Sequence, residues 1–206
     1  MPRPALSRST PVGPLSAYAR MLAGEDYAPA DPELKERRLR ARSLAAKLNR
    51  TKPAKHRKRR KLIIRLLGSV GENVVIHSLF NCDYGINIHV GENFFANCGC
   101  VILDAAEVRI GDNCLLGPQV GIYTAQHPLD PRLRRKGTES ARPVIIGNDC
   151  WIGGHATILP GVHLGNNVIV AAGAVVTRSF GDDVIIGGNP ARIIRTIAES
   201  SYERDR

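Results

Sequence analysis

The amino-acid sequence predicts a mainly β protein. Its central part is a parallel β-helix, with an N-terminal helical cap and a short C-terminal helix. Six aliphatic residues, each six positions after the last, carry this prediction: Ile146, Ile152, Ile158, Leu164, Val170 and Val176. Corners of Gly, Asn and Asp, such as Gly147-Asn148-Asp149, follow several of them. A period of six fits neither a helix nor a simple sheet, whose periods are 3.6 and 2. It is the hexapeptide repeat of a solenoid whose stacked coils bury a common core.

The residues before the repeat predict a tail and a helical cap. Residues 1–19 are rich in Pro, Ser and Gly, which is typical of a disordered tail. Within the cap, residues 20–69, Asp31-Pro32-Glu33 predicts a helix start with an N-cap, a proline at N1 and an acid in the first turn. This helix should end near Asn49. A second helix is expected from Pro53 to Leu67, with Gly68 as its stop.

The repeat is expected to span residues 70–188, with one interruption. An excursion over residues 124–143 leaves the hexad frame, which resumes at Ile146. A long excursion from a regular solenoid usually carries function. Gly187-Gly188-Asn189-Pro190 ends the repeat. Residues 189–206 are then expected to form a C-terminal helix, over 191–200, and a tail.

The net charge of +10 is unevenly distributed along the chain. Residues 1–69 hold 18 Lys or Arg and 5 Asp or Glu, whereas residues 70–206 hold 11 and 14. The densest basic run is residues 55–61. It is typical either of a nucleic-acid patch or of a solvated helix face. No aromatic residue interleaves the charges, as stacking on bases would need, so we expect a solvated face and no nucleic-acid partner. The basic field could also attract an anionic cofactor.

Cysteine usage and hydropathy indicate the compartment. The chain has five cysteines, an odd number without a Cys-x-x-Cys pair, which favours reduced thiols over disulfides or a zinc site. No apolar run reaches the roughly 18 residues of a membrane-spanning helix, and residues 1–20 lack the apolar segment of a secretory signal. We therefore expect a cytoplasmic protein with no metal and no membrane partner.

Among the six histidines, His127 is the best catalytic candidate. His56 lies in the basic run, and the other four lie within coils at corner or outward positions. His127 lies at the base of the excursion, before Pro128, and an imidazole can accept a proton near neutral pH. Glu139, in the same loop, could orient it. From spacing alone, His127 could equally be an exposed loop residue.

Several motifs together resemble one enzyme family. Two of them are Tyr123-Thr124-Ala125-Gln126-His127-Pro128 and Trp151-Ile152-Gly153-Gly154. Further matching segments are residues 21–27, 31–34, 80–85, 93–97, 171–177 and 188–192. The chain resembles the hexapeptide-repeat sugar O-acetyltransferases, close to the maltose and galactoside acetyltransferases, over about residues 20–197.

The resemblance implies a reaction and an assembly. The family forms homotrimers of left-handed β-helices with active sites between neighbouring subunits, although the general rule for crossover connections would predict the opposite hand. Acetyl would pass from acetyl-CoA to a hydroxyl of a small maltose- or glucose-like sugar. His127 matches the general base, Glu139 and Asn97 match further catalytic positions, and Asp83 and Asn97 match acceptor-binding positions.

The resemblance also implies a cofactor groove. Gly154, Ala172, Thr177 and Arg178 match positions along the pantetheine and nucleotide, and Arg192 and Arg195 match basic positions near the adenosine phosphates. The small residues are equally explained by tight packing of coils.

One departure and three alternatives remain open. Ala105 follows Asp104 where galactoside-type enzymes carry a second acid, so a galactoside acceptor is not expected. The alternatives are a serine- or xenobiotic-type O-acetyltransferase, a non-catalytic β-helix scaffold, and a nucleic-acid-associated protein that uses residues 52–65.

Overall fold

The structure is a parallel β-helix of about six coils with N-terminal helices, which confirms the predicted fold class. It is a computed structural model that describes residues 15–197. Most of the predicted disordered tail, residues 1–14, lies outside the described residues, as does the end of the predicted C-terminal helix and tail, residues 198–206. Between residues 15 and 197, no helix is long and apolar enough to cross a membrane.

Three helices form the cap: α1 (Ala17–Leu22), α2 (Pro32–Arg50) and α3 (His56–Leu66). The predicted start of α2 is correct, since the Asp31 carboxylate accepts a hydrogen bond from the backbone N–H of Glu33. Helix α1 begins inside the segment predicted as tail, because the Ser16 hydroxyl caps it by accepting from the N–H of Ala19.

The predicted boundaries of α3 are wrong at both ends. The helix begins at His56 rather than Pro53, and it ends at Leu66, with Leu67 in an extended conformation. Gly68 is not a left-handed helix stop, because its backbone does not have a positive φ. Its role is a close approach of two backbones: a Cβ on Gly68 would lie 2.2 Å from the carbonyl oxygen of Ile86.

The cap covers the open end of the solenoid. Apolar residues of α2 and α3, including Leu48 and Leu66, join the same hydrophobic core as Ile76 and Phe80 of the first coil. Asn49 fixes the position of this helix pair, because its side-chain amide donates to the carbonyl of Phe80 (2.9 Å) and accepts from the N–H of Phe80 (3.1 Å).

The coils build three parallel sheets, each of which is one face of the solenoid. The first face contains Ser69–Val70, Ile88–Val90, Val108–Ile110, Val144–Ile146 and His163–Leu164. The second contains Val75–Ile76, Phe95–Ala96, Leu115–Leu116, Trp151–Ile152, Ile169–Val170 and Val184–Gly187. The third contains Asn81–Cys82, Val101–Leu103, Gly121–Tyr123, Thr157–Ile158 and Val175–Val176. We call the turn from the first to the second face the first corner, and number the others accordingly.

The aliphatic residues of the hexad frame form the core. On the second face, Leu116, Ile152 and Val170 pair in register from coil to coil, and all three are buried. The predicted hexad therefore gives the correct inward positions. Four of the five free cysteines are buried as well, and only Cys98 is exposed.

Gly and Asn recur at the first corner because its backbone conformation and the close stacking of coils favour them. Asn73, Asn93 and Asn113 all have positive φ, a conformation that Asn tolerates better than most residues. Each donates its side-chain amide to the residue one coil on, at 2.8–3.1 Å, and the last of these acceptors is Asp149. A Cβ on Gly71 would lie 2.4 Å from the backbone of the next coil, so the close stacking requires glycine.

The predicted C-terminal helix over residues 191–200 is wrong. The chain turns back after Val184–Gly187 and forms a strand, Arg192–Thr196, antiparallel to it. The last coil leaves an unpaired sheet edge, and β-branched Ile193, Ile194 and Thr196 favour a strand that pairs with it.

We expect Arg59→Met to lower the free energy of unfolding by about 3 kcal/mol, because buried acceptors lose their charged donor. Arg59 is the buried cation of α3, and its guanidinium donates to the carbonyls of Leu48 (3.0 Å), Thr51 (2.8 Å) and Ile76 (2.5 Å). Arg60→Met, on the exposed side of the same helix, should change the free energy of unfolding by about 0.5 kcal/mol or less. Urea denaturation would measure both, and equal effects would contradict a structural role for Arg59.

Candidate active site

The excursion is a short hairpin with a helix at its end. Ala125–Gln126 pairs antiparallel with Ser140–Ala141, and helix α4 (Pro131–Arg135) lies between them. Asp130 caps this helix by accepting from the N–H of Arg132 at 2.8 Å. The loop is therefore ordered by its own hydrogen bonds and leaves the solenoid as a defined projection.

Thr124 anchors the base of this projection. It is fully buried, and its hydroxyl donates to the carbonyl of Leu103 (2.7 Å) and accepts from the N–H of Ala106 (2.9 Å). Leu103 ends the third-face strand of the coil before it, and Ala106 lies at the third corner that follows. The first residues of the excursion are thus held in a fixed position relative to the solenoid.

His127 and Glu139 face each other across this hairpin. The imidazole Nε2 of His127 lies 3.9 Å from Oε1 of Glu139. The His127 side chain is 59% exposed, whereas that of Glu139 is 20% exposed. The structure therefore brings these two predicted site residues together, with the imidazole reachable from solvent and the carboxylate mostly covered.

Tyr27 of the cap holds Glu139 in place. Its hydroxyl donates to the second carboxylate oxygen of Glu139 at 2.9 Å, and the two residues exchange backbone hydrogen bonds of 2.9 and 3.0 Å. Burial, followed by the charge of Glu139, raises the pKa of Tyr27 well above its usual value, so the hydroxyl keeps its proton and remains a donor. Sequence reasoning placed Tyr27 in a family motif without a role, because its partner lies 112 positions away.

Asp83 lies at the third corner, on the same side of the molecule as the excursion. Burial raises the pKa of its carboxyl, the charges of Arg38 and Arg42 on α2 lower it, and the charge of Glu139 raises it. Asp83 is therefore electrostatically coupled both to the cap and to the loop residue Glu139. Arg38 also donates to the hydroxyl of Tyr84 at 2.7 Å.

Asp104 shapes the backbone around Asp83. It is fully buried and accepts hydrogen bonds from the N–H groups of Asp83 (3.1 Å), Tyr84 (2.9 Å) and Asn87 (3.3 Å). Burial raises the pKa of Asp104 to about 7, although the backbone donors work in the opposite direction. An acid directly after the apolar strand Val101–Leu103 was a visible signal of this role, which our sequence reasoning did not use.

Asn97, Gly154 and Ala172 lie at the second corner, in three different coils, rather than beside His127. The N–H of Asn97 donates to the carbonyl of Leu116 (3.0 Å), and its side-chain oxygen accepts from the N–H of Cys98 (2.8 Å). Side chains along this corner are small or absent: Gly154 is half-buried and Ala172 is exposed. The backbone therefore lies close to the surface along this strip, where the family resemblance places the cofactor groove.

The remaining predicted cofactor residues fall into two places. Thr177 and Arg178 lie at the third corner of the last complete coil, where the Arg178 guanidinium is 5.2 Å from the ring centroid of Phe180. Arg192 and Arg195 are exposed on the antiparallel strand beside the second face. Within one chain, the third face therefore separates Thr177 and His127 from Asn97 and the groove.

Comparisons with known proteins agree with this architecture. The family model described as "maltose acetyltransferase hexapeptide capping motif" matches residues 20–71, which contain Tyr27 and both long cap helices. The model described as "hexapeptide repeat of succinyl-transferase" matches residues 107–122 and 143–178, on either side of the excursion.

Three named proteins are similar over most of their length. A galactoside O-acetyltransferase of Escherichia coli is 39% identical, covering 86% of this chain and 88% of that protein. The crystal structure of a maltose O-acetyltransferase from Clostridium difficile superposes with a TM-score of 0.88 at 43% identity, covering 90% and 99% of the two chains. A galactoside acetyltransferase in complex with coenzyme A gives a TM-score of 0.88 at 36% identity, covering 92% and 94%.

The raised pKa of Asp104 has a consequence for stability against pH. A carboxyl that binds its proton more tightly in the folded protein stabilises the fold at low pH, and this contribution is lost as the pH rises towards the folded pKa. We expect the free energy of unfolding of the unsubstituted protein, relative to Asp104→Asn, to fall by a few kcal/mol between about pH 4 and about pH 8. Urea denaturation of both proteins across this range would measure it. A difference that stays constant with pH would contradict a raised pKa.

Proposed function

The chain belongs to the hexapeptide-repeat family of the maltose and galactoside O-acetyltransferases, and from this premise we propose that it transfers acetyl from acetyl-CoA to a hydroxyl of a small sugar. A maltose- or glucose-like acceptor is favoured, because Ala105 offers no carboxylate to a galactoside. The observation that carries the proposal is the linked arrangement of Tyr27, Glu139 and His127 on an anchored excursion. Its chemistry suits proton removal from a hydroxyl group.

His127 acts as the general base. The imidazole takes the proton of the sugar hydroxyl while the oxygen attacks the thioester carbonyl, and the intermediate collapses with loss of the coenzyme A thiolate, which receives the proton. Glu139 orients the ring, because its carboxylate faces the imidazole at 3.9 Å. Tyr27 keeps that carboxylate oriented through its own hydrogen bond.

Asp83 and Asn97 bind the acceptor. A half-buried carboxylate beside Arg42 accepts hydrogen bonds from sugar hydroxyls, and a carboxamide both donates and accepts, as a polyol requires. Asp104 contributes indirectly, since it holds the backbone N–H groups of residues 83, 84 and 87 and so fixes the direction of the Asp83 side chain.

The second-corner groove binds the donor. Gly154 and Ala172 let the extended pantetheine arm lie against the coils, while Thr177 and Arg178 contact it from the other side. Arg192 and Arg195 supply positive charge for the phosphates near the adenosine. Support comes from the exposure of all four polar residues and from the coenzyme A that the similar galactoside acetyltransferase holds.

The enzyme is a homotrimer whose sites lie between subunits. Within one chain, His127 lies at the third corner and Asn97 at the second. A second copy is therefore needed to bring the third corner of one chain against the second corner of its neighbour. The outward side of the second face supports this assembly. Val75, Phe95, Leu115 and Trp151 follow one another in register there and form an apolar stripe, exposed except at the partly buried Phe95, in which Trp151 is 54% exposed. Such a stripe is stabilised when a neighbouring copy covers it.

The enzyme acts in the cytoplasm, where acetyl-CoA is available and thiols stay reduced.

We expect His127→Ala to lower kcat for acetyl transfer by about 10²–10⁴-fold, the usual contribution of a general base. Thiol release from acetyl-CoA with a panel of mono- and disaccharides would measure it. Affinity for acetyl-CoA should be kept, because the proposed groove lies at other residues.

His163→Ala is the matched control and should keep full activity, since this exposed imidazole lies on the first face, outside the proposed site. A His127→Ala protein as active as the original would refute the general base. An original protein that binds acetyl-CoA but releases no thiol with any sugar would refute the acceptor class.

The shared site predicts complementation between two inactive proteins. We expect His127→Ala and Asn97→Ala to be nearly inactive as separate homotrimers. Mixed trimers contain one site that combines an intact His127 with an intact Asn97 from the neighbour, and should recover about one third of the original activity. Co-expression with two different affinity tags would isolate the mixed trimers. Inactive mixed trimers would show that both residues serve a site within one chain.

A further inference from the structure

The cap carries a strongly basic surface that the proposed reaction does not use. Residues 47–65 contain ten Lys or Arg and no Asp or Glu. Nine of these cations are exposed, and we call them the basic cap surface: Lys47, Arg50, Lys52, Lys55, Arg57, Lys58, Arg60, Lys61 and Arg65. The tenth, Arg59, is buried and bonded to three carbonyl groups, so its charge serves the fold.

The exposed cations of this surface are not neutralised by the chain itself. None of them forms an ion pair with a residue between 15 and 197, whereas Arg37 pairs with Glu33 and Arg132 with Asp130 elsewhere. Nine like charges on two adjoining helices and the turn between them repel one another, which opposes folding of the cap. An anionic partner would remove that repulsion.

The cations line two hollows on either side of α3. One, of about 540 Å³, is lined by Lys47, Arg50, Lys52, Lys55 and Lys58, with Leu62 and Thr51. The other, of about 570 Å³, has a mixed lining that includes Arg57, Arg60 and the acid Glu72, so the first hollow is the more positive of the two. Concave sites with positive walls suit compact anionic groups such as phosphates, because several cations can reach one group at the same time.

Aliphatic side chains beside the charges indicate the kind of partner. Ile64 is 50% exposed among the cations of α3, and Leu39 of α2 is 65% exposed. The two helices meet here, since the Arg40 guanidinium donates to the carbonyl of Arg65 at 2.8 Å. Residues 47–65 contain no Phe, Trp or Tyr, which stacking on nucleic-acid bases would use. Cations around aliphatic residues are typical of a helix surface that lies on a bilayer.

We propose that the basic cap surface docks the protein on the face of an anionic lipid bilayer. The cations contact headgroup phosphates and carboxylates, and Ile64 and Leu39 enter the interfacial region. This departs from our expectation of no membrane partner, which considered spanning segments alone. Each Lys or Arg near an anionic membrane adds roughly 1 kcal/mol of attraction, so the surface has enough charge for reversible binding. The proposal is independent of the proposed reaction, because no residue of the basic cap surface belongs to the candidate active site.

Vesicle co-sedimentation of the full-length protein tests this docking. We expect binding to phosphatidylcholine vesicles that contain about one third phosphatidylserine, little binding to pure phosphatidylcholine, and weaker binding as salt rises from about 50 to about 200 mM. The triple variant Lys55→Gln/Lys58→Gln/Lys61→Gln should bind about 100-fold more weakly. Its acetyl transfer to a soluble sugar should match that of the original protein or, if no acceptor is found, its unfolding temperature should be no lower, and either result would show that the cap is folded.

The matched control removes the same charge elsewhere. Lys35→Gln/Arg135→Gln/Lys136→Gln changes three exposed cations outside the basic cap surface and should keep vesicle binding close to that of the original protein. Equal binding to neutral and anionic vesicles, or equal losses in the two triple variants, would overturn the proposal. So would retention on duplex DNA without vesicle binding, which would assign the surface to nucleic acid.

Discussion

The stacking of one coil directly on the next is the constraint on which the rest of the structure depends. The parallel strands form backbone hydrogen bonds from coil to coil, as when the N–H of Trp151 donates to the carbonyl of Val168 at 3.0 Å. This spacing leaves no room for a Cβ at Gly71 or Gly117. It also repeats each side-chain position along a column, so aliphatic residues build the core and Asn residues build a corner. A column so regular provides a rigid frame, and the proposed general base lies on the excursion that leaves it.

The two irregular parts of the chain are linked to each other. The cap closes the core at the first coil, and through Tyr27 it also holds Glu139 of the excursion. Two backbone hydrogen bonds between these residues make the contact a small piece of sheet, which resists rotation better than a side-chain contact alone. The cap therefore contributes both to stability and to the position of the proposed general base.

Sequence reasoning succeeded where the determining interactions are local or periodic. Six-residue spacing located Ile152 and Val170 in the core, and Asp31-Pro32 located the start of α2. It failed at residues 191–200, because the choice of strand over helix depends on a sheet edge that only the assembled last coil provides. The partners of Asp104 and of Tyr27 could not be identified for the same reason, since they lie in another coil or in the excursion. His127 and Glu139 were indicated by their place in the excursion, the other site residues came from family resemblance, and the roles of all of them remain predictions.

A solenoid of this kind has flat faces and convex corners, which explains why the proposed site needs more than one chain. A convex corner such as that of Gly154 and Ala172 exposes an extended ligand to water along its whole length. An excursion such as that of His127 reaches outward, and its imidazole stays largely exposed on a single chain. Packing one corner against the excursion of a neighbour would make a cleft from two convex surfaces and exclude water from the thioester. In this fold, assembly would therefore supply the enclosure that a globular enzyme obtains from its own loops.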